Sequence, residues 1–496
     1  MADIFKELTL GTKDGVSQYR MFINGVWTEA EGNETFSVES PYDGRVVAYA
    51  AKATVNDAAK AVEAAYLARQ KMRELSPFER AEILQKAAKL LEEHKDEVIV
   101  RIVAEAGKPV TEAKGEVGAS IKRITVGAEE AKSLQGTALN GGTVSADGKN
   151  KWAVVSHMPL GVVLGITPFN YPCFIPLSKI VPALAAGNTL VVKPASDDPT
   201  PVLYLAAIFK EAGLPDGAFN VITGGGAEVG DYLSAHPKVN MVSFTGSTKV
   251  GHRIAEKAVM AKLHLELGGK SPSIVSKHAD LDVAVKESVK GAIKFSGQRC
   301  DALSRMLVEA EVYDEFVRKV TEEVKHWDVG DPTSPETHIG PLINKAGFDK
   351  VKELVGDALE KGAKLEYGEV PDEKNGLLVS PMVLTGVTSD MRIAWEETFG
   401  PVVSIMKVQS FDEALSLTNQ SEYGLDASVF TTDVNEALYA ARIIESGTVQ
   451  INGAPAHGVG DFPFGGDEES GIGREGIKLS AEEMSRLHTV VFNPKK

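Results

Sequence analysis

Only two of the 496 residues are cysteine, Cys173 and Cys300. A disulfide scaffold needs more thiols, and a chain of this length can build its cores without one. The two are not in Cys-x-x-Cys spacing, and the ten histidines form no His-x-x-x-His pair. No metal site is expected from such a set. Basic residues are also short, with 53 Lys and Arg against 69 Asp and Glu and a formal charge of −16. A nucleic-acid backbone would be repelled on average, so no nucleic-acid partner is expected; a local basic pocket for a small anion stays open. Uncharged apolar runs of about 18 residues are missing, and no signal-peptide core is visible near the amino terminus. Neither a membrane span nor export is expected, and the cytoplasm is the default location. There is no internal repeat or low-complexity tract to suggest a solenoid or propeller.

What is present is ordinary globular material, 43% hydrophobic and 25% charged, enough for about two to four domains. Segments 55–68, 79–94, 97–106 and 111–130 have helical spacing, so the first part reads as mostly helix. Beyond it, short β-branched runs at 161–167, 188–193, 219–223, 239–245 and 263–267 alternate with helical patterns such as 202–212 and 227–234. That alternation predicts a parallel, doubly wound α/β sheet, with ligands at the carboxyl ends of its strands. A second alternation follows, with helices at 282–294, 312–326 and 346–360 and strands at 305–308, 378–384, 402–407 and 448–451. Segments 149–159 and 489–492 read as strands outside both sheets, edges that an intersubunit sheet could cover.

Several of the loops that carry reactive residues fall just after these strands. Cys300 in FSGQRCDA is a candidate nucleophile beside a glycine-containing turn and an arginine whose positive potential could activate it. Glu266 in LELGGKSP ends an apolar strand, where desolvation would raise its pKa and suit a general base. Asn170 in TPFNYP sits between prolines and can donate its amide to an oxyanion. Gly246–Gly251 (GSTKVG) makes a glycine turn opening a helix, a place for a phosphate, though not the G-x-G-x-x-G spacing. Lys193 in KPAS could reach ribose or phosphate; Glu397 and Phe399 in WEETFGP could bond a ribose and stack on a ring. Taken singly, each has a plainer reading: a gap-filling cysteine, an ion-paired glutamate, a turn asparagine, a solvated lysine, a core aromatic.

In order along the chain, TPFNYP, KPAS, FTGSTKVG, LELGGKSP, GQRC, EETFGP and PFGG resemble the aldehyde dehydrogenase superfamily, from about residue 21 onward. The resemblance implies an α/β fold with a Rossmann-type cofactor domain (1–139 and 160–269), an α/β catalytic domain (270–470) and a small β oligomerisation hairpin (140–159 and 471–496), assembled as homodimers or homotetramers. It also implies that Cys300 attacks the aldehyde, that Asn170 and the Cys300 N–H hold the oxyanion, and that Glu266 activates the water that hydrolyses a thioester. Thr167, Pro168, Phe169, Lys193, Ser196, Gly246, Ser247, Leu267, Glu397 and Phe399 would border NADP or NAD. Ser196 lies three residues after Lys193, where a carboxylate would repel a 2′-phosphate, so NADP is the preferred cofactor.

GQRCDA and INGAPAHGVGDFPFGG resemble the non-phosphorylating glyceraldehyde-3-phosphate dehydrogenase branch. That implies oxidation of glyceraldehyde 3-phosphate to 3-phosphoglycerate, with Tyr171, Arg299 and His457 at anion-contacting positions. The chain departs from the pattern at Ala119, where an arginine is expected, with Lys122 and Arg123 nearby. A structural ion pair is the plainer reading of Arg299. Lactaldehyde or a semialdehyde acid is the alternative substrate, and a CoA-acylating enzyme the more distant one, for which a base at Glu266 is unnecessary.

Overall fold

The computed structural model describes residues 4–143, 145–456 and 462–494. The expected first stretch of mostly helix needs correction, because six short strands between Thr9 and Ala51 precede the first helix. Asp14-Gly15 and Asn24-Gly25 turn two of their hairpins, all four residues having positive φ, which is the tight-turn chemistry of such dipeptides. The helices then begin where their caps dictate. Thr54 and Asp57 form a reciprocal capping box at Val55–Glu74, and Ser76 and Glu79 form another at Pro77–Glu93.

The described residues then build an eight-stranded sheet. Its order is Gly471–Ile472, Lys262–Glu266, Val239–Thr245, Val162–Ile166, Thr189–Lys193, Phe219–Val221, Met21–Ile23 and Val26–Thr28. The five strands from Lys262–Glu266 to Phe219–Val221 are parallel, and the outer pairings are antiparallel. The core of this sheet is built on both faces: every residue of Thr189–Lys193 is buried. From Val162–Ile166 the chain winds one way through Thr189–Lys193 and the other way to Val239–Thr245, a switch point that opens a crevice at the strands' carboxyl ends.

A seven-stranded sheet follows, running Lys364–Tyr367, Met382–Thr385, Val402–Val408, Leu303–Glu309, Ser271–Val275, Asp426–Phe430 and Thr448–Ile451. The third unit is a three-stranded sheet of Thr137–Asn140, Trp152–Pro159 and Ser485–Phe492. Two short segments fall on the other side of the expected boundaries. Thr137–Asn140 joins this small sheet, while Gly471–Ile472 completes the edge of the eight-stranded one. No helix among the described residues is long and apolar enough to cross a membrane.

Candidate active site

The loops singled out in the sequence converge at the switch point because the strands carrying them are in register. Ile166 pairs with Lys193 and with Phe244, and Thr245 pairs with Glu266. Thr167, Lys193, Gly246 and Leu267 therefore leave one edge of the sheet together. A cavity of about 380 Å³ is lined by Thr167, Pro168, Phe169, Asn170, Gly246, Ser247, Leu267, Glu397, Phe399 and Cys300. Ala195, Phe244, Thr245, Val250 and Lys350 complete it and were not foreseen. A second compartment of about 260 Å³, lined by Lys193, Ile166, Ile254, Arg253 and others, meets the first at Val250.

The glycines explain how two sheets reach one cavity. A Cβ on Gly269 would stand 2.3 Å from the Cys300 carbonyl oxygen, and one on Gly268 3.0 Å from Thr248 Oγ1. Only a glycine at 269 lets the Cys300 loop lie this close to the end of Lys262–Glu266. The Gly269 N–H donates to Glu397 Oε1 at 3.1 Å, and buried Lys270 donates to Thr398 Oγ1 at 2.9 Å. These bonds fix the loop carrying Phe399, whose φ of +53° is left-handed and whose ring meets Phe169 edge-on at 6.0 Å. Before Cys300, Phe295 and Ser296 are also left-handed, at +50° and +56°. Strain of this kind survives only where packing over-determines it; both residues are buried.

Cys300 is half-buried. Burial pushes its thiol well above the usual range, and Asp301, Glu266 and Glu397 push the same way while Arg299 opposes them. The neighbouring arginine thus acts on the thiol in the expected direction, but burial outweighs it. The Arg299 guanidinium donates to the Gly291 carbonyl at 2.8 Å and lies 3.7 Å from Asp301, which cancels much of its field at the sulfur. Cys173, by contrast, is fully buried within the apolar core.

Asn170 donates Nδ2 to the Gln298 carbonyl at 3.0 Å. One bond orients the amide and leaves its second N–H available toward the cavity. Glu266 is 2% exposed, and burial pushes its carboxyl up to about 7. It does not line the cavity with Cys300; Oε1 instead lies 3.5 Å from His264 Nε2. Lys193 is buried, donates to the Pro194 carbonyl at 3.2 Å, and is pushed down to about 8 by burial. Ser196 donates to the Gly224 carbonyl at 2.9 Å and lines a separate cleft with Asp197.

The cavity fits a nicotinamide dinucleotide on three observations. Thr167 and Thr245 line it with buried hydroxyls that bond nothing among the described residues. The helix Thr248–Lys257 starts at Ser247 without a side-chain cap, so its first N–H groups face outward for a phosphate. The second compartment has apolar walls at Ile166, Val250 and Ile254, suited to a flat ring.

Tyr171 and Arg299 line a third cavity of about 260 Å³ together with Glu112, Lys294, Asp301 and Ala119. Lys108 lies 3.7 Å above the Tyr171 ring and pairs with Glu116 at 2.5 Å. Arg123 donates to Ser178 Oγ at 2.7 Å, with its guanidinium 4.1 Å from the centre of the Phe174 ring, one of the residues lining this cavity. His457 lies outside the described residues. Arg253, Lys350 and His264 were missed in the sequence. Alone on a helix or strand, a cation has no local signal, and only the period-two spacing of His264 and Glu266 hinted that they share a face.

The sequence model of the aldehyde dehydrogenase family matches residues 27–490. An NADP-dependent glyceraldehyde-3-phosphate dehydrogenase of Streptococcus equinus is 41% identical over 476 residues, 96% of this chain and 99% of that protein. A 3-sulfolactaldehyde dehydrogenase of Priestia aryabhattai is 40% identical, over 96% of this chain and 98% of its own length. The crystal structure of the NADP-dependent glyceraldehyde-3-phosphate dehydrogenase from Bacillus halodurans C-125 complexed with NADP superposes with a TM-score of 0.93 at 40% identity, covering 96% of this chain and 99% of that one. With its two α/β sheets, its cysteine cavity and near full-length similarity of this kind, the chain belongs to the aldehyde dehydrogenase family.

Proposed function

We propose that the chain oxidises a short anionic aldehyde, glyceraldehyde 3-phosphate in the first instance, to its carboxylic acid through a thioester on Cys300. The observation carrying this reading is that Cys300 shares one cavity with Asn170 and Phe399, while Tyr171 and Arg299 line the next. The Cys300 sulfur bonds the aldehyde carbon as its thiol proton passes to solvent, and the carbonyl oxygen takes up the negative charge. The second Asn170 N–H and the Cys300 N–H donate to the oxygen as it gains charge. NADP or NAD is the cofactor, and its oxidised nicotinamide supplies acceptance of the hydride. Thr167, Pro168, Phe169, Leu267, Phe399 and Glu397 hold that end, Gly246 and Ser247 the phosphates, and Lys193 the adenosine ribose. NADP is preferred, since no carboxylate follows Lys193 at Ser196; Arg253 lines the compartment of Lys193 but is paired there with Asp231. Glu266 then removes a proton from the water that releases the acid.

Residues 1–139 and 160–269 serve as the cofactor unit and 270–470 as the catalytic one in this reading. The small sheet serves as the oligomerisation surface of a cytoplasmic homodimer or homotetramer. Its support is the row of exposed apolar side chains Trp152, Leu487, Val490, Val491 and Phe492. The free thiols of Cys173 and Cys300 suit a reducing compartment.

A panel of glyceraldehyde 3-phosphate, 3-sulfolactaldehyde, lactaldehyde and succinic semialdehyde, each with either nucleotide, tests the substrate class. The anionic three-carbon aldehydes are expected to give the highest kcat/KM, with NADP ahead of NAD. Equal or better turnover of lactaldehyde would reject the anion pocket. Arg299→Ala is expected to raise the KM for the anionic substrate about a hundredfold, the scale for loss of a desolvated charge partner. The neutral aldehyde is the internal control, since damage to the loop through a buried Asp301 left without its cation would affect both alike.

A further inference from the structure

His264 lies two residues before Glu266 on the strand Lys262–Glu266, so the two side chains leave the same face. The imidazole is 1% exposed. Its Nδ1 is 2.7 Å from Glu483 Oε2, and its Nε2 is 3.5 Å from Glu266 Oε1. The Glu483 side chain is 36% exposed, so this buried row of acid, imidazole and acid ends at solvent. Neither oxygen of Glu266 has a hydrogen-bond partner among the described residues. Backbone closes over the row: a Cβ on Gly465 would stand 2.6 Å from Glu266 Oε1, and one on Gly473 2.9 Å from His264 Nδ1.

The other charges nearby are committed. Lys179, on the helix Phe174–Ala185, lies 3.3 Å from both Glu475 Oε1 and Ser243 Oγ. Lys262 Nζ donates to the carbonyls of Glu483 and Ser485. The Arg474 N–H approaches Glu483 Oε1 at 3.4 Å, and its guanidinium pairs with Asp467 at 2.6 Å. The imidazole is therefore the group that faces Glu266 directly.

We infer that His264, anchored by Glu483, is the positioning residue of Glu266: its imidazolium holds the buried carboxyl in place and keeps it in the charged form that a base requires. Burial works against a proton on the imidazole, but the carboxylates at its two nitrogens outweigh it and hold it at about 9. In return the imidazolium opposes the rise that burial imposes on Glu266. This rests on Glu266 being the base, and its consequence is a pH dependence that belongs to the pair.

The test is His264→Gln, which keeps an N–H toward Glu266 but no charge. The acid limb of the thioester hydrolysis rate against pH is expected to move up by about one unit, about tenfold slower turnover below it. Nucleotide affinity and the first-turnover hydride burst should not change. A second measurement needs no His264 variant. In the Glu266→Gln protein the NMR titration midpoint of His264 is expected to fall by about one unit, because coupling between two sites is reciprocal. An unmoved limb, or an unmoved midpoint, overturns the inference. If Glu266→Gln stalls hydrolysis while His264→Gln leaves the limb unmoved, the base assignment stands and only the role of His264 falls. If Glu266→Gln hydrolyses normally, it is the base assignment that has failed.

Discussion

Cys300→Ser is expected to lower steady-state aldehyde oxidation by at least about four orders of magnitude, the scale for removing a covalent nucleophile. Nucleotide binding, followed by fluorescence of the reduced form, should survive. The hydroxyl of serine is a far weaker nucleophile than a thiolate, and around Cys300 burial and three carboxylates outweigh Arg299. Asp301, Glu266 and Glu397 all disfavour a negative charge at this position. The same setting that makes the thiol reluctant to ionise would leave an alcohol inert. The change removes little volume, and the Gly269 backbone still fits against the carbonyl of residue 300. A variant that binds nucleotide normally and turns over at the original rate would end the assignment of Cys300.

Glu266→Gln is expected to separate the two halves of the reaction. One equivalent of reduced nicotinamide per site should appear at close to the original rate, followed by a stall about a hundred- to ten-thousandfold slower, the range for loss of a general base. An acyl-enzyme heavier by the acyl group should then be visible by mass spectrometry. The sign of the pH dependence in the unmodified protein follows from the buried carboxyl. Burial raises Glu266 to about 7, and only its deprotonated form can accept a proton from water. Hydrolysis should therefore be full above that value and fall about tenfold for each unit below it. A rate that rises on acidification would instead mark Glu266 as an acid.

Much of this was legible because the central strands are buried on both faces. Continuous runs such as Val162–Ile166 and Thr189–Lys193 can hardly be anything else between glycine turns. The places of Asn170 and Glu266 followed from strand ends in the same way, whereas Cys300 lies between a helix and the start of Leu303–Glu309. The early hairpins were overlooked although Asp14-Gly15 and Asn24-Gly25 announce them, since strands of three to five residues such as Met21–Ile23 and Thr9–Lys13 carry almost no periodicity. The helix Phe174–Ala185 was hidden by Pro176 and Pro182. There, an almost fully buried environment outweighs propensity. What no local pattern contains is the direction of a side chain. The electrostatic tie of Arg299 to Asp301 and the turn of Glu266 toward His264 depend on the packed loop and on residues more than two hundred positions away.

That distance has a consequence for the edge of the sheet. The strand Lys262–Glu266 receives its outer neighbour, Gly471–Ile472, from residues about two hundred positions later in the chain. Without that neighbour, the edge beside Glu266 would lie open to pairing with another chain, so the segment around Gly471–Ile472 covers as well as completes the sheet.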